Sequence, residues 1–434
     1  MNAIGFLFTL VAGILIFRLP RKWAFVPLLA GAAYMTRGQV LELGPLNFPV
    51  VRLLVTIGFL RVLTRGERIA GGLHLMDKLV IAWAVWLVGS SVFHTAGALV
   101  FRVGLVWTEV GSYFLFRVFI RDSQDLRRVF RTICVLLIPV AVGMLIEKLS
   151  GKNCFASLGG VYEHAAVRNG KFRAQGPFAH AILAGTVGAM CLPMALYLWK
   201  TDRRVAVTGL VTTGAIVYSS GSSGPFMMTF AVLFALALWK VRTWMRPILW
   251  VGLIAVLALD MVMKDPVYFL MARIDITGGS TGWHRAALIQ SAIRHLDEWW
   301  FSGTDYTRHW MPTGIHANEI HTDITNHILQ MGVWGGLPLV LLFLGIMAAA
   351  FSVVTKALRQ QRSAPLEEQY LIWTLGAILF AHVTNFFSIC YFDQSIVFFY
   401  LLLAGIAAFR AMRVAVTRPE TTSVAAGSRP LPAT

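Results

Sequence analysis

Apolar residues along this chain come in long, nearly unbroken blocks, without the alternation of a strand or the single stripe of an amphipathic helix. Leu79 to Val100, Ala179 to Trp199 and Ile248 to Met263 are examples. A block of about 20 residues matches the roughly 30 Å hydrocarbon layer of a bilayer. Twelve or thirteen such blocks run along the chain, at 3–17, 23–36, 49–63, 79–100, 104–120, 131–147, 178–199, 205–219, 224–239, 247–263, 326–354, 370–390 and 395–410. Backbone groups in lipid must pair within their own segment, so each block predicts a helix. The expected fold class is all-α: a polytopic membrane protein whose single transmembrane domain covers residues 1–417. Ile4 to Phe17 lacks a basic leader and a cleavage site and is expected to stay as the first helix.

The polar turns between blocks alternate in character. One set is short and basic: "RLPRK", "RGERIAGG", "RDSQDLRR", "KTDRR", "KVRTWMR" and "KALRQQR". Short basic loops are retained in the cytoplasm, which puts the opposite set outside. The outer set contains two long loops, 148–177 and 264–325. The second is too long for a connector, and its stretch "GWHRAALIQSAIRHLDEWW" spaces Leu288, Ala292, Leu296 and Trp299 as in a helix. Trp299 and Trp300 suit a helix lying at the membrane interface. Residues 418–434, rich in Pro, Ser, Thr and Ala, read as a disordered cytoplasmic tail. No internal repeat and no soluble domain is evident.

Composition agrees with this picture. Of 434 residues, 57% are hydrophobic and only 14% charged, too few charges for a soluble enzyme. The net charge of +17 is explained by basic residues flanking membrane helices, and no nucleic-acid partner is expected. The four cysteines give no disulfide framework: Cys134, Cys191 and Cys390 fall in apolar blocks and Cys154 stands alone in a loop. A glycine-rich phosphate loop, a CxxC pair and a HExxH zinc motif are all missing, so ATP-driven transport and zinc proteolysis lose their usual signals.

Three stretches remain as candidate chemistry. In "RNGKFRAQGPFAHAILAG", Arg168, Lys171 and Arg173 cluster just before a membrane helix. They could grip an anion, since the guanidinium fork suits phosphate, or only reach lipid headgroups as interfacial cations. In "GWHRAALIQ", Arg285 stands near the start of the loop helix, with Arg294 further along. The loop carries Lys264, Arg273, Arg285, Arg294 and Arg308 against seven acids, so diffuse attraction is a poor account of Arg285. A specific partner or a surface ion pair are the two readings. Finally, "GIHANEIHTDITNHILQMGVWGG" gathers His316, His321 and His327 where the chain enters a membrane helix. His321 could move a proton near neutral pH, His316 and His321 with Glu319 and Asp323 could hold a metal, or the histidines could simply cap the loop. Arg52, Glu109, Arg117, His94, His382 and Asn385 are polar within apolar blocks and are expected mostly to glue helices together. "SSGSSGPF" reads as a small-residue outer turn that permits close backbone approach.

Taken in order, these stretches resemble the O-antigen ligase and polysaccharide polymerase superfamily, bacterial inner-membrane glycosyltransferases acting on lipid-linked glycans. The likeness is best over residues 170–340. "HTDITNHILQMGVWGG" has the family's histidine with a glycine eleven residues on and another three later: His321, Gly332 and Gly335. "RAQGPFAHAILAG" and "WHRAALIQSAI" resemble its two arginine segments, with Arg173 and Arg285 in the arginine positions. Thr322 replaces the usual Asn after the histidine, and Gly224-Pro225 stands where many relatives carry Ser-Arg.

The resemblance implies a GT-C-like fold and a substrate of undecaprenyl-diphosphate-linked glycan, used at the periplasmic face of the inner membrane without cofactor or metal. It implies that Arg173 and Arg285 hold the diphosphate leaving group while His321 activates the acceptor hydroxyl in one inverting step. Arg168, Lys171, His316 and Arg294 are the accompanying substrate-binding candidates. Expected partners are the lipid-linked glycan, membrane lipids and other polysaccharide assembly proteins. A capsule or exopolysaccharide polymerase fits better than a ligase moving finished glycan to lipid A-core or another acceptor. An anionic-solute transporter is the alternative of another class, although inverted repeats and paired broken helices are not seen.

Overall fold

A computed structural model describes residues 1–44, 46–273, 282–315 and 317–416, the last seven of them by backbone only. His316 and the expected tail at 418–434 lie outside the described residues.

The chain is mostly helical. In order it forms α1 (Ala3–Arg18), α2 (Phe25–Tyr34), the hairpin β1–β2 (Val40–Leu43, Leu46–Pro49), α3 (Val50–Arg65), α4 (Leu75–Gly89), α5 (Ala96–Phe119), α6 (Ser123–Leu136) and α7 (Ile138–Ser150). The hairpin β3–β4 (Ala166–Arg168, Lys171–Arg173) follows, then α8 (Ala181–Leu198), α9 (Arg203–Ser220), α10 (Ser223–Ala237) and α11 (Met245–Val262). Last come α12 (Gly282–Arg294), α13 (Leu296–Trp299), α14 (His327–Gln360), α15 (Leu366–Asn385) and α16 (Ile396–Val416). Among the described residues, six segments are long and apolar enough to cross a membrane: Leu75–Phe93, Ala96–Phe119, Ser123–Ser150, Ala181–Leu198, Ser223–Val262 and His327–Gln360. This is a multi-pass helical membrane protein.

Six is fewer than the blocks suggest, for a physical reason. Helices such as α1, α2 and α3 fall short of the roughly 20 residues a perpendicular crossing needs. The two blocks at 224–239 and 247–263 fall within one segment, Ser223–Val262, and count once.

Helix α8 is buried on nearly every side, packing on α9, α10 and α15, while α14 packs on α4 and α16 on α5. By contrast α11 is apolar all round and buries no residue, as suits a helix in contact with lipid. Ionisable residues inside the bundle are paired between helices, as expected. Arg117 on α5 donates to Asp77 on α4 (3.0 Å), and the Tyr113 hydroxyl donates to the same carboxylate (2.7 Å). Glu109, eight residues before Arg117, bonds instead to Tyr400 on α16.

The long loop before α14 docks onto that helix through the glycines of the histidine motif. Helix α14 kinks at Gly335 and Gly336, and Gly336 has φ 72°, a left-handed conformation that glycine adopts without strain. Across the kink, the Leu337 amide donates to the Trp300 carbonyl (2.7 Å), the Thr304 amide to the Val333 carbonyl (3.0 Å) and the Trp86 indole to the Gly335 carbonyl (2.7 Å). A β-carbon at Gly336 would stand 2.2 Å from the Phe301 carbonyl oxygen, and one at Gly332 2.6 Å from the Trp299 ring. Gly336→Ala is therefore expected to cost at least about 1–3 kcal/mol for the backbone alone. The check is the thermal midpoint of the detergent-purified protein, and an unchanged midpoint would mean that the loop does not seat on this kink.

The loop helix also departs from expectation. The regular spacing from Leu288 to Trp299 predicts one helix, but the chain breaks at His295 between α12 and α13. Leu288, Ala292 and Trp299 remain buried in a small cluster with Trp310, Met311, Ile324 and Val333. Leu296, carried round by the break, is 38% exposed.

Candidate functional site

The site begins with a tight hairpin. Asn169 (φ 51°) and Gly170 (φ 71°) both adopt left-handed backbone, the conformation that a two-residue Asn-Gly turn favours. The register pairs Arg168 with Lys171 and Ala166 with Arg173. Opposed residues share a face, as do residues two apart, so Arg168, Lys171 and Arg173 lie on one face of the hairpin, opposite Val167 and Phe172.

Strand β4 then enters the bundle through a segment fixed on every side. The amides of Gln175 and Gly176 donate to the two carboxylate oxygens of Glu147 (3.0 and 2.8 Å). The Asn153 amide group donates to the Gly176 carbonyl (2.9 Å), and the Ala179 amide to Asp393 Oδ2 (2.7 Å). Gln394 Nε2 donates to the Pro177 carbonyl (2.8 Å). Arg173 is thereby held in place and buried, and its Nη2 donates to Ser222 Oγ (2.6 Å). That serine belongs to the "SSGSSGPF" turn between α9 and α10, where Gly221 (φ 53°) takes the left-handed backbone that glycine adopts without strain. The Arg173 Nε–H is buried with no hydrogen-bond partner among the described residues.

Arg285, one turn into α12, reaches the same region from the other loop. Its Nε–H is also buried and unpartnered among the described residues. It lines a cleft of about 390 Å³ between α10 and α15 with Gly224, Met228, Phe234, Phe380 and Asn385. The walls are largely apolar, and Asn385 and Ser388 supply polar groups.

Arg168 ties the two arginines together electrostatically. Burial lowers the Arg173 pKa to about 10, with Arg168 adding to the effect. Burial followed by Arg168 also lowers Arg285, against which Asp323 acts. His180 feels the same cluster: burial, then Arg173 and Arg168, push it down to about 4. Its Nδ1 accepts from the Ile182 amide (3.1 Å) at the N-cap of α8, so the ring proton sits on Nε2. His180 thus adds a neutral N–H donor beside Arg168 and Arg173.

His321 stands apart. Its Nδ1 lies 3.4 Å from Thr307 Oγ1, and the charge it feels is Asp305. Burial lowers its pKa below the ordinary 6.5, with Asp305 acting the other way, so the half-buried ring is neutral at pH 7. Asp305 in turn meets His94 Nδ1 (2.7 Å), which anchors this loop to the bundle. The side chain on this segment nearest the arginines is Asp323. Burial raises its pKa, while His284 and Arg285 oppose the rise, and the His284 Nε2–H donates to its backbone carbonyl (3.0 Å). His327 is buried as the first residue of α14, where its Nδ1 accepts from the Tyr391 amide (3.3 Å), a structural role.

The structure thus gathers Arg168, Arg173 and Arg285, and adds His180, Ser222 and Asp323. Lys171 shares the hairpin face but is exposed, and Arg294 is exposed at the far end of α12 from Arg285. Of the possible metal quartet His316, His321, Glu319 and Asp323, His316 lies outside the described residues. No protein-family model matches the chain, and no curated protein is significantly similar to it.

Proposed function

We propose that this protein is a glycosyltransferase of the bacterial inner membrane that polymerises exopolysaccharide or capsule repeat units from undecaprenyl-diphosphate-linked glycan at the periplasmic face. The observation that carries the reading is the pair of buried guanidinium N–H groups on Arg173 and Arg285, without a partner among the described residues, beside Arg168 and an apolar cleft. Buried donors left unpaired cost about 1–3 kcal/mol each, more when charged, and a diphosphate would satisfy them. Bidentate arginines suit such an anion, and the apolar cleft suits the polyprenyl chain attached to it.

In the proposed reaction an acceptor sugar hydroxyl attacks the anomeric carbon of the donor. The new glycosidic bond forms as the bond to the diphosphate oxygen breaks with inversion. The leaving oxygen's electron pair and charge pass to the diphosphate, which Arg173 and Arg285 stabilise with help from Arg168 and the His180 Nε2–H. The acceptor's proton passes to neutral His321. An in-line displacement puts the base and the leaving group on opposite sides of the reacting carbon, so contact between His321 and the arginines is not required. The arginines neutralise the leaving charge, and no step calls for a metal.

The test is chain extension by purified protein on a lipid-linked repeat. A ladder of products supports polymerisation. Transfer of preformed chains to a separate acceptor without a ladder would make it a ligase, and anion uptake into proteoliposomes without glycan chemistry would make it a transporter.

A further inference from the structure

We propose that the 264–325 loop holds a zinc-class divalent cation on His295, Glu298 and His309. Ligand atoms of these three side chains all lie within 4.8 Å of one another. A tetrahedral zinc with bonds near 2.0–2.2 Å brings such atoms to about 3.3 Å apart, which small side-chain rotations achieve.

The local structure prepares each ligand. His295 Nδ1 donates to the Ser291 carbonyl (2.8 Å), which fixes the tautomer and leaves the Nε2 lone pair for an ion. Its ring stacks on Trp310 (6.0 Å between centroids) and meets the His309 ring edge to face (5.0 Å). His309 is stacked in turn on Tyr306 (5.0 Å), and its Nε2 is 2.9 Å from both oxygens of Glu298. The Trp310 indole N–H donates to Glu298 Oε2 (3.0 Å), orienting the carboxylate. Oriented rings and an oriented carboxylate are what a metal site needs from its surroundings. A simple His309–Glu298 ion pair would account for two of the three groups but not for the convergence of His295.

Two imidazoles and one carboxylate favour zinc over magnesium or calcium, which prefer all-oxygen sites. The side chains of His309 and Glu298 are 36% and 32% exposed, so water can fill the fourth position. The site joins the chain just after α12 to the 3-10 turn Arg308–Trp310, on the far side of α13. It is separate from the arginine cluster, so it would serve the loop's structure and leave the metal-free chemistry above untouched.

The experiment uses the full chain in detergent, stripped with EDTA, desalted and titrated with ZnCl2. The expected result is one tight zinc per chain, little competition from Mg²⁺, and a higher unfolding temperature on binding. His295→Ala and His309→Ala should each weaken binding at least about 100-fold, toward the scale set by loss of a ligand. Glu298→Gln, which keeps an acceptor for Trp310, should weaken it without loss of helix content by circular dichroism. Asp297→Ala should leave it unchanged. Zinc binding that survives the His295→Ala/His309→Ala double substitution, or no zinc bound at micromolar concentration, would overturn the proposal.

Discussion

Replacing Arg285 by alanine is expected to lower chain-extension turnover by about 10²–10³-fold, the usual cost of removing one donor from a developing negative charge. The expectation rests on where the charge goes. As the anomeric bond breaks, the diphosphate gains a full charge on its leaving oxygen, next to a cleft walled by the apolar side chains of Met228, Phe234 and Phe380. The loss should appear mainly in kcat, because the bond to Arg285 strengthens as the leaving charge grows. Arg285→Lys keeps a charge but not the planar fork, so it should restore activity only in part. The double variant with Arg173→Ala should cost less than the two single losses multiplied, because both arginines act on one group. Turnover within about twofold of wild type would remove Arg285 from the leaving-group site.

His321→Ala should lose about 10²–10⁴-fold, the range for a general base, and the pH profile separates this role from a structural one. A base works only when unprotonated. Burial holds the His321 pKa below the ordinary 6.5, so the neutral form persists as pH falls to that value and is lost below it. Wild-type kcat/KM should therefore be flat from pH 8 to about 6.5 and fall only at lower pH. In His321→Ala the residual rate should lose that acid limb. Asp323 provides the control, because it is the carboxylate that lies toward Arg285. If Asp323→Asn abolishes the limb and His321→Ala leaves it intact, the carboxylate is the base.

Much of this arrangement can be read in the chain, and the gaps have physical causes. Hydropathy identifies nearly every helix because lipid permits few alternatives, but it overcounts crossings, since an apolar block does not reveal that a helix such as α2 ends after ten residues or that two blocks join in Ser223–Val262. The "RNG" turn, with φ above zero at Asn169 and Gly170, carries a known hairpin signal. With three residues per strand, however, no alternation betrays the sheet that turns Arg168 and Arg173 to one face. Gly332 and Gly335 are visible as spacing, whereas their reason is not: Trp299 and the segment after it approach from thirty-odd residues away in sequence. His180 escapes a reading by residue type, and Asp323 is visible there only as a possible metal ligand, because what they do beside the arginines comes from neighbours on other elements. The break at His295 is equally hidden: it interrupts a good helical spacing at one member of the cluster His295, Glu298 and His309.

The central claim is that Arg168, Arg173 and Arg285 together receive a lipid-borne diphosphate. Its most direct measurement is the affinity of the protein, reconstituted in nanodiscs of zwitterionic lipid, for undecaprenyl diphosphate against undecaprenol. Preference for the diphosphate by at least about tenfold, or 1.4 kcal/mol, is predicted, falling to near parity in Arg173→Ala/Arg285→Ala. Equal affinity for the two lipids in the wild type, or a preference unchanged in the double variant, would contradict it.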